Sequence, residues 1–220
     1  MISSHGSPCT LRRKLFAVAL LALTAGHAFA QAGSVAAADL PTAAGASDDV
    51  KKTVAAKGSR VTLEDGWAAE FWFARALATA SNGAAGALYP DLSNGQFVAV
   101  VTFAKGTSDF RGQAIPAGTY TLRYQYLPQD ANHMGVSPNP DFLLAIPLAA
   151  DANPADNLPF KKLVALSSKA TGTEHPAVLA MAPAGTPNTV AKDDQGMTIF
   201  TAEVATSSGK TEKILSLIHI

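Results

Sequence analysis

The chain has 220 residues, its 17 Lys and Arg are balanced by 17 Asp and Glu, and 48% of it is hydrophobic. A neutral chain without a basic cluster disfavours nucleic acid and anionic lipid surfaces as partners. Its one cysteine is Cys9, so disulfides, thiolate metal sites and a Cys nucleophile are excluded from the rest of the sequence.

Residues 1–30 predict a removable leader. Arg12, Arg13 and Lys14 make a positive start, residues 15–25 (LFAVALLALTA) are apolar, and Ala28-Phe29-Ala30 is an A-x-A cleavage signal. The apolar run is about half the roughly 20 residues that span a bilayer, so it predicts export and cleavage after Ala30, not a membrane span. The implied address is periplasmic or secreted. Cys9 precedes the apolar run and is misplaced for lipidation at the cleavage site. The Arg12-Arg13 pair loosely resembles a twin-arginine signal without its fuller consensus. Removing the three leader cations leaves 14 basic against 17 acidic residues, a charge of −3.

Residues 31–57 are rich in Ala, Gly, Ser and Asp and nearly free of aromatics, which predicts a flexible tether. Within it, 48–57 has the pattern of a short amphipathic helix. From 58 to 214 the sequence predicts one β-sandwich domain with one helix. Alternation marks strands at 59–64, 67–75 and 118–127, and an apolar β-branched run marks a central strand at 96–104. Three more strands are expected at 141–147, 177–182 and 197–205. On 67–75, Trp67, Ala69, Phe71 and Phe73 share one face, opposite Glu70 and Trp72. On 118–127, Tyr120, Leu122, Tyr124 and Tyr126 oppose Thr119, Thr121, Arg123 and Gln125. Turn chemistry such as Glu64-Asp65-Gly66, Ser93-Asn94-Gly95 and Asp194-Gln195-Gly196 separates the runs. Residues 157–170 place Phe160, Leu163, Val164 and Leu166 at helical spacing, with Asp156 or Asn157 as cap and Pro159 in the first turn. Residues 211–214 begin a last strand. The terminal LSLIHI, Leu215–Ile220, resembles the translation of a sequencing-adapter end, which implies a non-native tail that imitates a strand.

The hairpin FRGQAIPAGTYTLRY (110–124), the NHMG loop and the GTEHPA segment (172–177) resemble an uncharacterised family of secreted or periplasmic bacterial β-sandwich proteins, over residues 109–182. The resemblance implies a fold and a compartment, and no activity.

Pro128 to Pro140 (PQDANHMGVSPNP) is long for a loop between two strands. It gathers Asp130, Asn132, His133 and Met134, with Asp141 at its edge, and its prolines stiffen it. A stiff polar loop on a β scaffold is a common way to build a binding site. The alternative is a surface loop whose Asp130 and Asn132 bond their own backbone. His175 lies in the second candidate segment, and whether it meets His133 depends on whether the 157–170 helix runs back along the sheet.

These features predict a non-enzymatic envelope binding module contacting an envelope protein, small molecule or glycan. Its ligand residues would be Arg123, Asp130, Asn132, His133, Asp141 and His175. No cofactor motif is present. One alternative is a hydrolase of an envelope or extracellular polymer, with Asp130, His133 or Asp141 as acid or base. G-x-S-x-G, S-x-x-K and H-E-x-x-H are all absent, and Glu70 and Glu203 make a glycosidase pair only if they face one cleft. The other alternative is a copper-handling protein using His133 and His175 with Met134, Met181 or Met197, although the spacing matches no metal motif. Trp67, Trp72, Tyr124 and Tyr126 would suit a sugar-stacking surface, but buried packing is the more economical reading.

Overall fold

The computed structural model describes residues 32–39, 46–80, 84–127, 137–183 and 185–218. The fold is mainly antiparallel β. Seven strands form the principal sheet: β1 (Gly33–Asp39), β2 (Lys57–Leu63), β3 (Ala68–Phe73), β4 (Phe97–Phe103), β7 (Gly118–Tyr126), β8 (Asp141–Pro147) and β9 (Ala177–Ala180). They lie side by side in that order. Between β4 and β7 the chain forms a two-stranded hairpin, β5 (Thr107–Ser108) and β6 (Ala114–Ile115). A three-stranded sheet follows: β10 (Thr189–Lys192), β11 (Thr198–Ala205) and β12 (Thr211–Ile218). Two α-helices, α1 (Asp48–Thr53) and α2 (Phe160–Thr171), and one 3-10 turn, Leu148–Ala150, complete the described elements.

The small sheet packs on the inner face of the large one. Phe71 and Phe200 rings meet at 5.2 Å, and Phe200, Ala202, Val204 and Ile214 join Phe71, Val101, Leu122, Tyr124 and Leu143 in one core. The sheet edges also approach each other. β1 runs beside β10, where the Ala32 N–H donates to the Val190 carbonyl at 3.1 Å, and β9 runs beside β12.

On the outer face, α2 covers β8 and β9. Leu163 packs among Phe142, Leu144, Ile146 and Val178, each such side chain contributing roughly 1.5–3 kcal/mol of burial. Ser167 lets the helix approach closely: its hydroxyl donates to the Ala145 carbonyl at 2.7 Å and accepts the Ala177 N–H at 3.0 Å. The N-cap is Pro159, without a side-chain cap bond, in place of the expected Asp156 or Asn157. The C-cap, Gly172, has φ +67°, the left-handed conformation that glycine adopts without cost.

Two expectations are corrected. Residues 31–57 are not merely a tether, because β1 pairs with β2 from Gly33↔Leu63 to Asp39↔Lys57, and α1 is capped by the Ser47 hydroxyl. Its alanines join the sheet through backbone bonds that a composition argument does not count. Arg123 is also not on a contact surface: the polar face of β7 is covered, and Thr121, Arg123 and Gln125 are all buried. Trp72 is fully buried, in keeping with the packing reading of the aromatics, in the same cluster as Val50 and Val54. At the C-terminal end, β12 pairs with β11 from Ala205↔Thr211 to Thr198↔Ile218, so Leu215–Ile218 are part of a ladder.

Candidate functional site

The residues expected to carry function separate into three groups. Asp130, Asn132 and His133 lie outside the described residues. Arg123 and Asp141 are fully buried, and His175 is exposed.

Arg123 stands at the centre of β7 on the outer face. After β8 the chain turns at 148–150 and crosses this face along residues 151–158. All five guanidinium N–H groups are used there. Nε donates to Asp151 Oδ2 at 2.7 Å and Nη2 to Asp151 Oδ1 at 2.8 Å. Nη1 donates to the Gly95 and Asp156 carbonyls at 2.9 and 2.8 Å, and Nη2 also to Asn153 at 2.8 Å. Thr121 donates to Asp151 Oδ2 at 2.6 Å. Gly95 is part of this junction: a Cβ there would sit 3.1 Å from the Leu158 carbonyl, and its φ is +83°. Arg123 is therefore the staple that binds the crossover to the sheet. Expected at a contact surface, it has no donor left for a ligand.

Asp141 is the second staple. Its carboxylate accepts the Leu88 and Tyr89 N–H groups at 2.9 and 3.1 Å and the Tyr124 hydroxyl at 2.7 Å. This ties the loop after residue 84 to the foot of β8. Burial, the bond to Asp141 and its negative charge together push the Tyr124 phenol far above its ordinary value. A carboxylate closed in this way does not reach a substrate, so Asp141 is not the acid or base of the hydrolase reading. Beside it, the described ends of the 128–141 segment are pinned. The Leu127 N–H donates to the Pro140 carbonyl at 3.0 Å, and Asn139 Nδ2 to the Met181 carbonyl at 2.9 Å.

Asp109, which sequence reasoning passed over, is the third. It is buried in the β5–β6 turn and accepts the Arg111 and Gln113 N–H groups at 3.0 and 2.8 Å and Arg111 Nη2 at 3.0 Å. Arg111 Nη2 and Gln113 Nε2 then hold the Pro176 carbonyl at 2.8 and 3.0 Å. The hairpin thereby clamps the loop that carries His175, whose own N–H donates to Thr173 Oγ1 at 3.0 Å. The one sequence signal for this cluster was Asp109-Phe110-Arg111-Gly112-Gln113 at a turn, a pattern that Asx-type turns share.

The helix does run back along the sheet, and its path places His175. The 151–158 crossover first carries the chain from the Pro147 end of β8 to the Gly95 end of the sheet. Helix α2 then returns it to Ala177, which pairs with Ala145. His175 thus lies at the end of β8 opposite Asp141 and the described flanks of the 128–136 segment. Met181 is buried in the core and Met197 is half-buried. Among the described residues no group of three His, Cys, Asp or Glu side chains could hold a metal ion.

Glu203 lines a cleft between β11 and the Ala55–Ser59 and Phe73–Arg75 segments. Glu70 does not line it; it pairs with Arg60 at 3.1 Å on the outer face. Trp67, Trp72 and Tyr124 are buried and form no sugar platform. Among the described residues no helix is long and apolar enough to cross a membrane. Comparison with family models, with curated proteins and with solved structures gave no match to this chain.

Proposed function

We propose that this chain is an exported, non-catalytic binding module of the cell envelope, with the 128–141 loop as its contact surface. One observation carries the reading. The buried carboxylates Asp141 and Asp151 spend their lone pairs on holding a loop and a crossover to the sheet, and Asp109 spends its own on closing the β5–β6 turn. Groups of this kind build rigid supports for loops, and loops on rigid supports are where binding residues concentrate. The Asp141 staple and the bonds at Leu127, Asn139 and Pro140 support this reading by fixing the described ends of the candidate loop. The leader pattern at residues 12–30 supports export. The partner is an envelope protein, a glycan or a small molecule.

Site-directed photocrosslinking in intact cells tests this. A photoreactive residue at Ala131 should give a discrete envelope adduct, and one at the exposed Lys161 of α2 should not. Equal labelling from both positions, or none from Ala131 in protein recovered folded from the periplasm, would overturn the proposal.

A further inference from the structure

The three-stranded sheet leaves one strand edge open. β10 covers β11 only as far as Thr189↔Thr201, and the Thr201 carbonyl accepts the Asn188 N–H at 2.8 Å. Beyond it, the Ala205 carbonyl accepts the Leu77 N–H at 2.8 Å on the same edge. In an extended strand the backbone groups of alternate residues face one edge. Glu203, midway between Thr201 and Ala205, therefore turns its N–H and C=O toward the gap. The gap is a cleft of about 170 Å³. It is open to solvent on one side and has room for several waters, or for a carboxylate with one small residue.

The opposite wall has the chemistry for such an occupant. Arg75 Nε is fixed on the Val54 carbonyl at 3.0 Å, and among the described residues Nη1 and Nη2 have no partner. Lys57, the other cation of the described lining, pairs with Asp39 at the exposed surface, and the exposed Arg75 guanidinium presents its unpaired Nη groups to the cleft. Phe73, half-buried, gives an apolar wall, and the Glu203 side chain is exposed at the rim. A guanidinium fork matches the two oxygens of a carboxylate. A free N–H and C=O on a strand edge match one residue of an extended backbone.

We propose that this cleft captures the C-terminal carboxylate of an extended peptide, with Arg75 holding the carboxylate and Glu203 pairing with the backbone of the terminal residue. The site is independent of the 128–141 loop, and its failure would leave that reading untouched.

The probe is N-acetyl-Ala-Ala with a free carboxylate, titrated into the full chain and followed by backbone amide shifts. Shifts should centre on Phe73, Arg75 and Glu203. The C-terminal amide of the same dipeptide, which forfeits the charge-assisted bonds, should bind at least about tenfold more weakly. Arg75→Gln should lower the acid's affinity to that of the amide. Glu203→Gln, which removes a like charge from the rim and keeps the backbone groups, should tighten binding of the acid. If Arg75→Gln fails to fold because the Val54 bond is lost, the Glu203→Gln result and the acid-to-amide ratio decide. Equal binding of acid and amide would overturn the proposal. So would binding insensitive to both variants, shifts centred elsewhere, or acetate binding as well as the dipeptide acid.

Discussion

Replacing Asp151 by alanine leaves Arg123 charged and sealed under the crossover with two of its five N–H bonds gone. The Asp151 and Arg123 side chains are 2% and 0% exposed, so water does not screen the loss. Breaking a buried pair from one side costs about 3–5 kcal/mol. The three carbonyls that Arg123 still holds, Gly95, Asn153 and Asp156, belong to the same crossover and to the turn before β4. They offset part of the charge and set the lower end of that range. For a domain of 150–250 residues, each kcal/mol moves the melting temperature by roughly 2–4 °C, so Asp151→Ala should lose on the order of 6–20 °C. Arg123→Met and the Asp151→Ala/Arg123→Met double variant complete a cycle. Three carbonyls lose their donor when Arg123 goes, so the apolar double variant should stay well below wild type. It should still be more stable than additivity predicts, because no charge is left stranded. Urea unfolding of the four proteins gives the coupling energy. An Asp151→Ala loss below about 1 kcal/mol, the value of an exposed ion pair, would refute the staple.

Leu122 faces the core directly between Tyr120 and Tyr124, so Leu122→Ala should cost about 2–5 kcal/mol by urea unfolding, comparable to Asp151→Ala. Tyr124 has a folded-state pKa raised above that of the unfolded phenol. Its contribution should be intact below pH about 10 and fall as pH rises further, since the unfolded chain alone can ionise there. Tyr124→Phe should flatten that alkaline limb and leave the neutral range lower by a constant amount. Asp141→Ala should speed hydrogen exchange at Leu88 and Tyr89, the amides it holds, well before it affects β4 or β7.

Much of the frame was legible in the sequence because it rests on local patterns. Period-two alternation over 118–127 and the apolar run at 141–147 gave adjacent strands, and the Ser93-Asn94-Gly95 turn lies directly before β4. β1 was illegible because Ala-rich residues carry no periodic signal, and the strand exists through a ladder to β2 that runs from Asp39↔Lys57 to Gly33↔Leu63. The site was misread for a related reason. A polar residue on a strand reads as solvent-facing until its cover is known. The cover of Arg123 is Asp151 and Asn153, 28 and 30 positions away, and Asp141 bonds to amides 52 and 53 positions back. Nothing local to β7 or β8 announces either. The opposed positions of Asp141 and His175 depend on the upward path of 151–158, a segment with no periodicity to read.

The claim that joins structure to function is that the Asp141 staple positions the 128–141 loop for contact. The direct measurement is the photocrosslink yield from Ala131 in an Asp141→Ala background, taken well below the melting temperature of that variant. The yield should drop severalfold while circular dichroism shows the β fold intact. An unchanged yield in the folded variant would contradict it.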